Sequence, residues 1–210
     1  MNLLRKSALA VLAGMAVQGA FAQTAQAPRA TEQQRLDSIW YAATERMSQQ
    51  VNLWYDHGEF LPAIQLLRMV MAIFPYDFDS ASLLGWLQES TEDQAGALAT
   101  YVDFRRNNPG DPDGPYLEAF YYFQKKLYAK IPPLLEPTMK MSPHPHPNTY
   151  RELAHSYERL NMVADAKRVW QSYLAIDPND PAARTNLDRI NKKLQGKIPM
   201  EFGQAKRRKA

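Results

Sequence analysis

The chain contains no cysteine. No disulfide, thiolate nucleophile, thiolate zinc site or lipid-bearing cysteine can be built from it. Histidine is scarce, with four residues in 210. His144 and His146 flank Pro145, but a polyproline strand turns about 120° per residue, so the two rings do not share a face. No third ligand stands near them in sequence, and a metal centre needs three or four. Glycine, with nine residues, never gathers into a phosphate-cradling loop, and there is no Gly-x-Ser-x-Gly motif. His155 and the Asp56–His57 pair therefore have no nucleophile or orienting group to work with. The chain is not read as an enzyme and no cofactor is expected. A metal carrier or enzyme built on His144, His146 or His155 remains only as a third reading.

Long apolar runs are also missing, apart from 8–17 near the start. That run is too short to span a bilayer comfortably. Arg5 and Lys6 precede it, and Ala20-Phe21-Ala22 follows as a small-x-small cleavage site. These are the parts of a secretory signal over 1–22, cut after Ala22, with an uncleaved anchor as the alternative. Both deliver the remainder outside the cytoplasm, to a bacterial periplasm or the exterior. A polar linker, 23–30, comes next.

Charge separates the parts further. The formal net charge is +3. Without Arg5 and Lys6 it is +1, and the 197–210 tail carries +4, which leaves the body 23–196 at −3. The basic character thus belongs to the signal and the tail, and nucleic acid is not expected as a partner of the fold. The tail, with Lys206-Arg207-Arg208-Lys209, is read either as a solvated segment or as a weak contact for anionic membrane.

What the chain does have is a packed-core composition, 45% hydrophobic and 11% aromatic. Thr31-Glu32-Gln33-Gln34 matches a capping box, and Leu36, Trp40, Ala43, Met47, Val51 and Trp54 follow at steps of three and four. This predicts one long amphipathic helix, serving either as an N-terminal cap or as a dimer seam. The richest stretch is 150–178. It reads Tyr150-x-x-Leu153-Ala154-x-x-Tyr157, then Ala166-x-x-x-Trp170-x-x-Tyr173, then Pro178. Large residues with small ones between them on two helical faces suit helices that approach closely. Pro75, Pro109 and Pro143 lie 34 residues apart, and Pro178 follows 35 further on. In that register the repeats are 44–77, 78–111, 112–145 and 147–180, with a capping helix over 182–195 ended by Gly196. Repeat three departs most. Ile131 replaces a small residue, and Pro132, Pro133 and Pro137 are expected to break its second helix.

This pattern resembles the tetratricopeptide repeat, a helix–turn–helix unit of about 34 residues. The resemblance implies an all-α, right-handed α-solenoid over 31–196, with an extended N-terminal helix and a C-terminal capping helix. It also implies a groove lined by the first helix of each repeat, holding a protein or peptide segment. By register the groove candidates are Asn52, Tyr55, Trp86, Tyr116, Phe120, Phe123, Arg151, His155 and Arg159. The repeat-three aromatics have a second reading, as packing under the broken helix. An acidic partner segment is expected near Arg151, His155 and Arg159. The chaperone-binding subfamily clamps a terminal carboxylate with a Lys–Asn pair, and here Ser48 holds the Lys position while only Asn52 matches. The function implied is that of an exported adaptor in envelope assembly or maturation. The alternative is a self-associating structural component using the N-terminal helix, and the oligomeric state is left open. Mass spectrometry of the native protein should find a chain beginning at Gln23. A cytoplasmic chain retaining Met1 would count against export.

Overall fold

The computed structural model describes residues 31–199. The 1–22 segment, the 23–30 linker and the tail beyond residue 199 lie outside them. Among the described residues every regular element is helical, and no helix is long and apolar enough to cross a membrane.

The chain divides between Ala42 and Ala43 into two compact units, and the first helix, α1 (Glu32–Asp56), crosses that boundary. The first unit, as far as it is described, is the opening of α1. The Thr31 hydroxyl accepts from the Gln34 N–H at 3.2 Å, and the Gln34 side chain accepts from the Thr31 N–H at 2.8 Å. This reciprocal pair satisfies two donors that a helix start would otherwise leave open. Leu36 and Ile39 are exposed, and Val51 is the one buried residue of α1.

The second unit continues α1 and adds α2 (Phe60–Ile73), α3 (Phe78–Ser90), α4 (Gln94–Asn107), α5 (Tyr116–Gln124), a four-residue α6 (Pro132–Leu135), α7 (Pro147–Arg159), α8 (Val163–Ile176) and α9 (Pro181–Leu194). Two apolar clusters hold it. The smaller joins Val51, Ala63, Ile64 and Leu67 to Leu84 and Leu87 of α3. The larger runs from Ala81 through Phe104, Tyr122, Tyr150, Leu153 and Trp170 to Ile190 of α9. Helix α3 therefore contributes to both, and ties the first helical pair to the rest.

Four turns of one type organise this stack. Gly58, Glu92, Lys126 and Asn161 all lie in the left-handed region, with φ of 72°, 66°, 60° and 62°. They are spaced by the same 34, 34 and 35 residues as the four prolines. The residue after each donates to the carbonyl five positions back: Glu59 to Trp54 at 2.7 Å, and Asp93 to Gln88, Leu127 to Tyr122 and Met162 to Tyr157 at 2.8 Å. This six-to-one bond closes a first helix and starts the reversal into the second. The single extra residue falls between Pro143 and Asn161, before or within α7.

Small residues set how closely the paired helices pack. Ala63, Ala97 and Ala166 are wholly buried on the second helices. At Gly85 a β-carbon would lie 2.1 Å from the Tyr101 ring, so α3 and α4 meet there at a distance that only glycine allows. Repeat three keeps the turn but not the second helix. A 3₁₀ turn at Tyr128–Lys130, then α6, then a second 3₁₀ stretch at Glu136–Lys140 take its place. Pro132 and Pro133 suit a helix start, whereas Pro137 lacks the N–H that would extend α6. Ile131, Leu135 and Thr138 still point inward, at helical spacing, and are buried.

The last pair is closed by α9. Ala183 and Ile190 are fully buried. Asp180 caps α9 by accepting the Ala183 N–H at 2.8 Å, and it also accepts the Tyr173 hydroxyl at 2.9 Å and Arg151 at 2.6 Å. The Ala183 N–H, the Tyr173 hydroxyl and the Arg151 guanidinium together hold this carboxyl down at about 2, against the burial that would raise it.

Two substitutions with opposite expected outcomes test this geometry. Gly85→Ala gains helix propensity but drives a methyl into Tyr101, and should lose about 1–3 kcal/mol of stability. Lys126→Gly relieves a left-handed backbone carrying a β-carbon, and should gain about 0.5–1 kcal/mol. Urea unfolding midpoints of the two variants against the parent chain check both signs.

Candidate functional site

The first helices of successive repeats present two groups of aromatic rings. In the first group Tyr55 of α1 lies 5.6 Å from Trp86 of α3, measured between ring centroids, and Phe60 of α2 lies 6.3 Å and 6.2 Å from the two. Tyr55 is 41% exposed and Trp86 45% exposed. Gly85, next to Trp86, faces the Tyr101 side of α3, so the helix is clamped on one side and offers its indole on the other. In the second group Tyr116 of α5 stacks on Phe78 at 6.4 Å and on Phe120 at 5.9 Å. Phe120 is 40% exposed, whereas Tyr116 is half-buried against the larger core. Phe123 is half-buried too, its ring 5.2 Å from Tyr128 of the broken helix. The two readings of the repeat-three aromatics thus divide by residue. Phe120 stands on the surface, Phe123 packs beneath the broken helix, and Tyr116 does some of each.

Asn52 is exposed and lines a cleft of about 330 Å³ formed by α1, α2 and the start of α3, together with Ser48, Leu67, Asp77 and Asp79. The basic candidates on α7 have partners inside the chain. Arg151 donates to Asp180 at 2.6 Å and to Asn148 at 3.1 Å, and lies over the Tyr173 ring. His155 meets Trp170 edge-on at 5.3 Å, with Nδ1 3.7 Å from the Glu158 carboxylate. Glu158 also accepts from Arg189 and from Lys193, the latter at 2.6 Å. Burial would raise the Glu158 carboxyl, but His155, Arg189 and Lys193 hold it well below the usual carboxylate range. Arg159 is exposed at the end of α7. The acidic contacts expected from a partner at Arg151 and His155 are therefore already made, by Asp180 and Glu158. Asp180 comes from the cap of α9, whereas Glu158 lies on α7 itself, one turn past His155.

Two further residues stand out, Asp113, which the register also places on the first-helix face, and Glu152, which it does not. Asp113 accepts the His146 N–H at 2.8 Å and the Thr149 hydroxyl at 2.7 Å, and so fixes the start of α7. His146 caps that helix as well, its Nδ1 accepting from the Asn148 N–H at 3.2 Å. Glu152, one turn into α7, is buried on the helix face it shares with Thr149 and Ser156, and its Oε1 has no hydrogen-bond partner among the described residues. Nothing in the sequence pattern singles it out, since it falls away from the stripe of Tyr150, Leu153, Ala154 and Tyr157. Between these elements lies a second pocket of about 330 Å³, walled by Phe78, Asp111, Asp113, Tyr116, His146, Asn148 and Thr149. Among the described residues, no three His, Asp or Glu side chains form a metal-ligand group.

Burial pushes the Glu152 carboxyl up to about 8 from the ordinary 4.5. Below 4.5 both the folded and the unfolded chain hold the proton. Between 4.5 and 8 the unfolded chain releases it while the folded chain keeps it, so stability falls as pH rises through that window. Glu152→Gln mimics the protonated acid and should remove this slope. The variant is expected to match the parent chain near pH 4 and to melt above it beyond pH 8, as measured by thermal melts across pH.

No family model matches the chain, and no curated protein matches it. Solved structures do. A tetratricopeptide repeat protein from Parabacteroides merdae superposes with a TM-score of 0.58 at 17% identity, over 73% of this chain and 60% of that one. The chain thus spans less than two-thirds of that relative's length. The MamA protein superposes with a TM-score of 0.52 at 15% identity, over 80% of this chain and 96% of that one. Together with the four turns in register, these likenesses identify the fold: the chain is an all-α solenoid of the tetratricopeptide repeat type.

Proposed function

We propose that this protein is an exported adaptor that binds a protein segment on the face formed by its first helices, in the assembly or maturation of a bacterial envelope. The observation that carries the reading is the exposed cluster of Tyr55 and Trp86 backed by Phe60, with Phe120 exposed on α5. Large rings left in water on helices fixed from behind are the usual form of a protein-binding anchor. The repeat fold supports a scaffold role, and the signal-like 1–22 segment supports export.

Trp86→Ala and Phe120→Ala are the test. Both rings are more than a third exposed, so melting temperatures should stay near the parent value. Each truncation should cost a bound partner about 2 kcal/mol or more. Envelope extract passed over the immobilised parent and Trp86→Ala chains side by side should yield a protein retained by the first and lost by the second. Equal retention would place the binding surface elsewhere.

A second reading is self-association through α1. Leu36 and Ile39 are 47% and 64% exposed on a helix whose one buried residue is Val51. Light scattering distinguishes the two, since only the second reading requires a dimer without a partner.

A further inference from the structure

The pocket at the start of α3, α5 and α7 is not explained by packing alone. Its walls combine two stacked rings, Phe78 and Tyr116, with the carboxylates of Asp111 and Asp113, and none of its described walls is a lysine or arginine. Helix starts favour anions, so a carboxylate here has a structural use, and Asp113 shows it by accepting the His146 N–H. That use is met by Asp113. Asp111 accepts the Asp113 N–H at 2.9 Å and forms no ion pair among the described residues, although Arg105 and Arg106 line a neighbouring cleft with it. Glu152, one helical turn along α7 from Asn148 and Thr149, is a third carboxyl close by, though not one of the pocket's walls. Its side chain is about nine-tenths buried and Oε1 lacks a partner among the described residues. It lies close enough that its charge and that of Asp113 both act on the Tyr116 phenol, which burial has already pushed up.

We propose that this pocket seats a basic side chain, lysine or arginine, of the bound protein segment, with the cation against the Phe78 and Tyr116 rings, Asp111 of the wall as its contact charge and Glu152 acting on it from one helical turn along α7. The inference rests on the first-helix face being the binding surface. It adds that the ligand carries a positive charge near its apolar anchors. Aromatic faces attract cations, and carboxylates at a partly desolvated site select them strongly over neutral groups of the same shape. The arrangement also gives Glu152 a use. A buried carboxyl that weakens the free protein above pH 4.5 becomes favourable once a cation arrives.

The test uses the chain from Gln23 onward and a library of random twelve-residue peptides displayed on phage. Selection on the parent chain should enrich peptides with a fixed lysine or arginine beside aromatic or aliphatic residues. Replacing that residue by norleucine should weaken binding roughly 30-fold or more on the parent chain. On Glu152→Gln or Asp111→Asn the same replacement should change little. Melting curves confirm that each variant is folded, and if one is not, the other carries the comparison. Peptides that depend on Trp86 but share no basic residue, and bind the Glu152→Gln chain as tightly as the parent, would overturn the basic-pocket assignment while leaving the first-helix face as the binding surface. Peptides indifferent to Trp86→Ala, or no enriched peptide at all, would overturn both.

Discussion

The solenoid depends on reversing the chain after each first helix within three residues. A right-handed helix cannot turn back that fast unless one residue enters the left-handed region and the next N–H finds a carbonyl one turn behind. Gly58, Glu92, Lys126 and Asn161 make that move at matching positions. Because the reversal recurs, each following segment meets its first helix in the same phase. Ala63, Ala97 and Ala166 then fall on the inside of three second helices, and Ile131 takes that place in repeat three. The prolines of repeat three remove helix hydrogen bonds without removing the phase. Ile131 and Leu135 still arrive four residues apart and fully buried.

The period was legible in the sequence because packing sets it. Pro75, Pro109, Pro143 and Pro178 mark helix ends, and Tyr150, Leu153, Ala154, Trp170 and Tyr173 mark faces, whatever the neighbours are. The turn residues were not legible in the same way. Glu92 and Lys126 are poor left-handed formers, and only their distance from Gly58 betrays them. Register also placed Tyr55, Trp86 and Phe120 on the first helices, but their exposure depends on what packs nearby, and for Phe123 the neighbour is Tyr128. The pairing of Arg151 with Asp180, across 29 residues, lies beyond any local pattern. Charge at α7 could be counted from the sequence, yet whether it was free or already neutralised could not.

The two ends of the described chain are built on different physics. At the C-terminal end α9 does more than cover apolar surface. It sends Arg189 and Lys193 to Glu158 and presents Asp180 to Arg151, so α7 and α9 are tied by charged hydrogen bonds on either side of α8 and its fully buried Trp170. Lys193 is itself buried, and removing either partner of a buried pair leaves an uncompensated charge, which is far costlier than losing a surface bridge. At the other end α1 buries Val51 and leaves Leu53 and Tyr55 exposed. In a repeat array each unit leans chiefly on its neighbours, so opening should begin at α1 and reach α7–α9 last.

This gradient bears on how the first-helix face can recognise anything. An exposed ring contributes affinity only if the backbone beneath it need not be ordered on binding. Trp86 meets that condition, because Gly85 lets α4 press directly on α3 and both apolar clusters take residues from the same helix. The pocket beside Tyr116 meets it as well, since Asp113 bonds the start of α7 and α7 is held in turn by the ion pairs of α9. Glu152 lies within that fixed frame, where it cannot swing to solvent to recover hydration. A carboxyl in a looser place would relax and lose its selectivity. Here the tightness of the C-terminal repeats is what makes an unpartnered charge costly in the free protein, and the same tightness gives a matching cation its advantage.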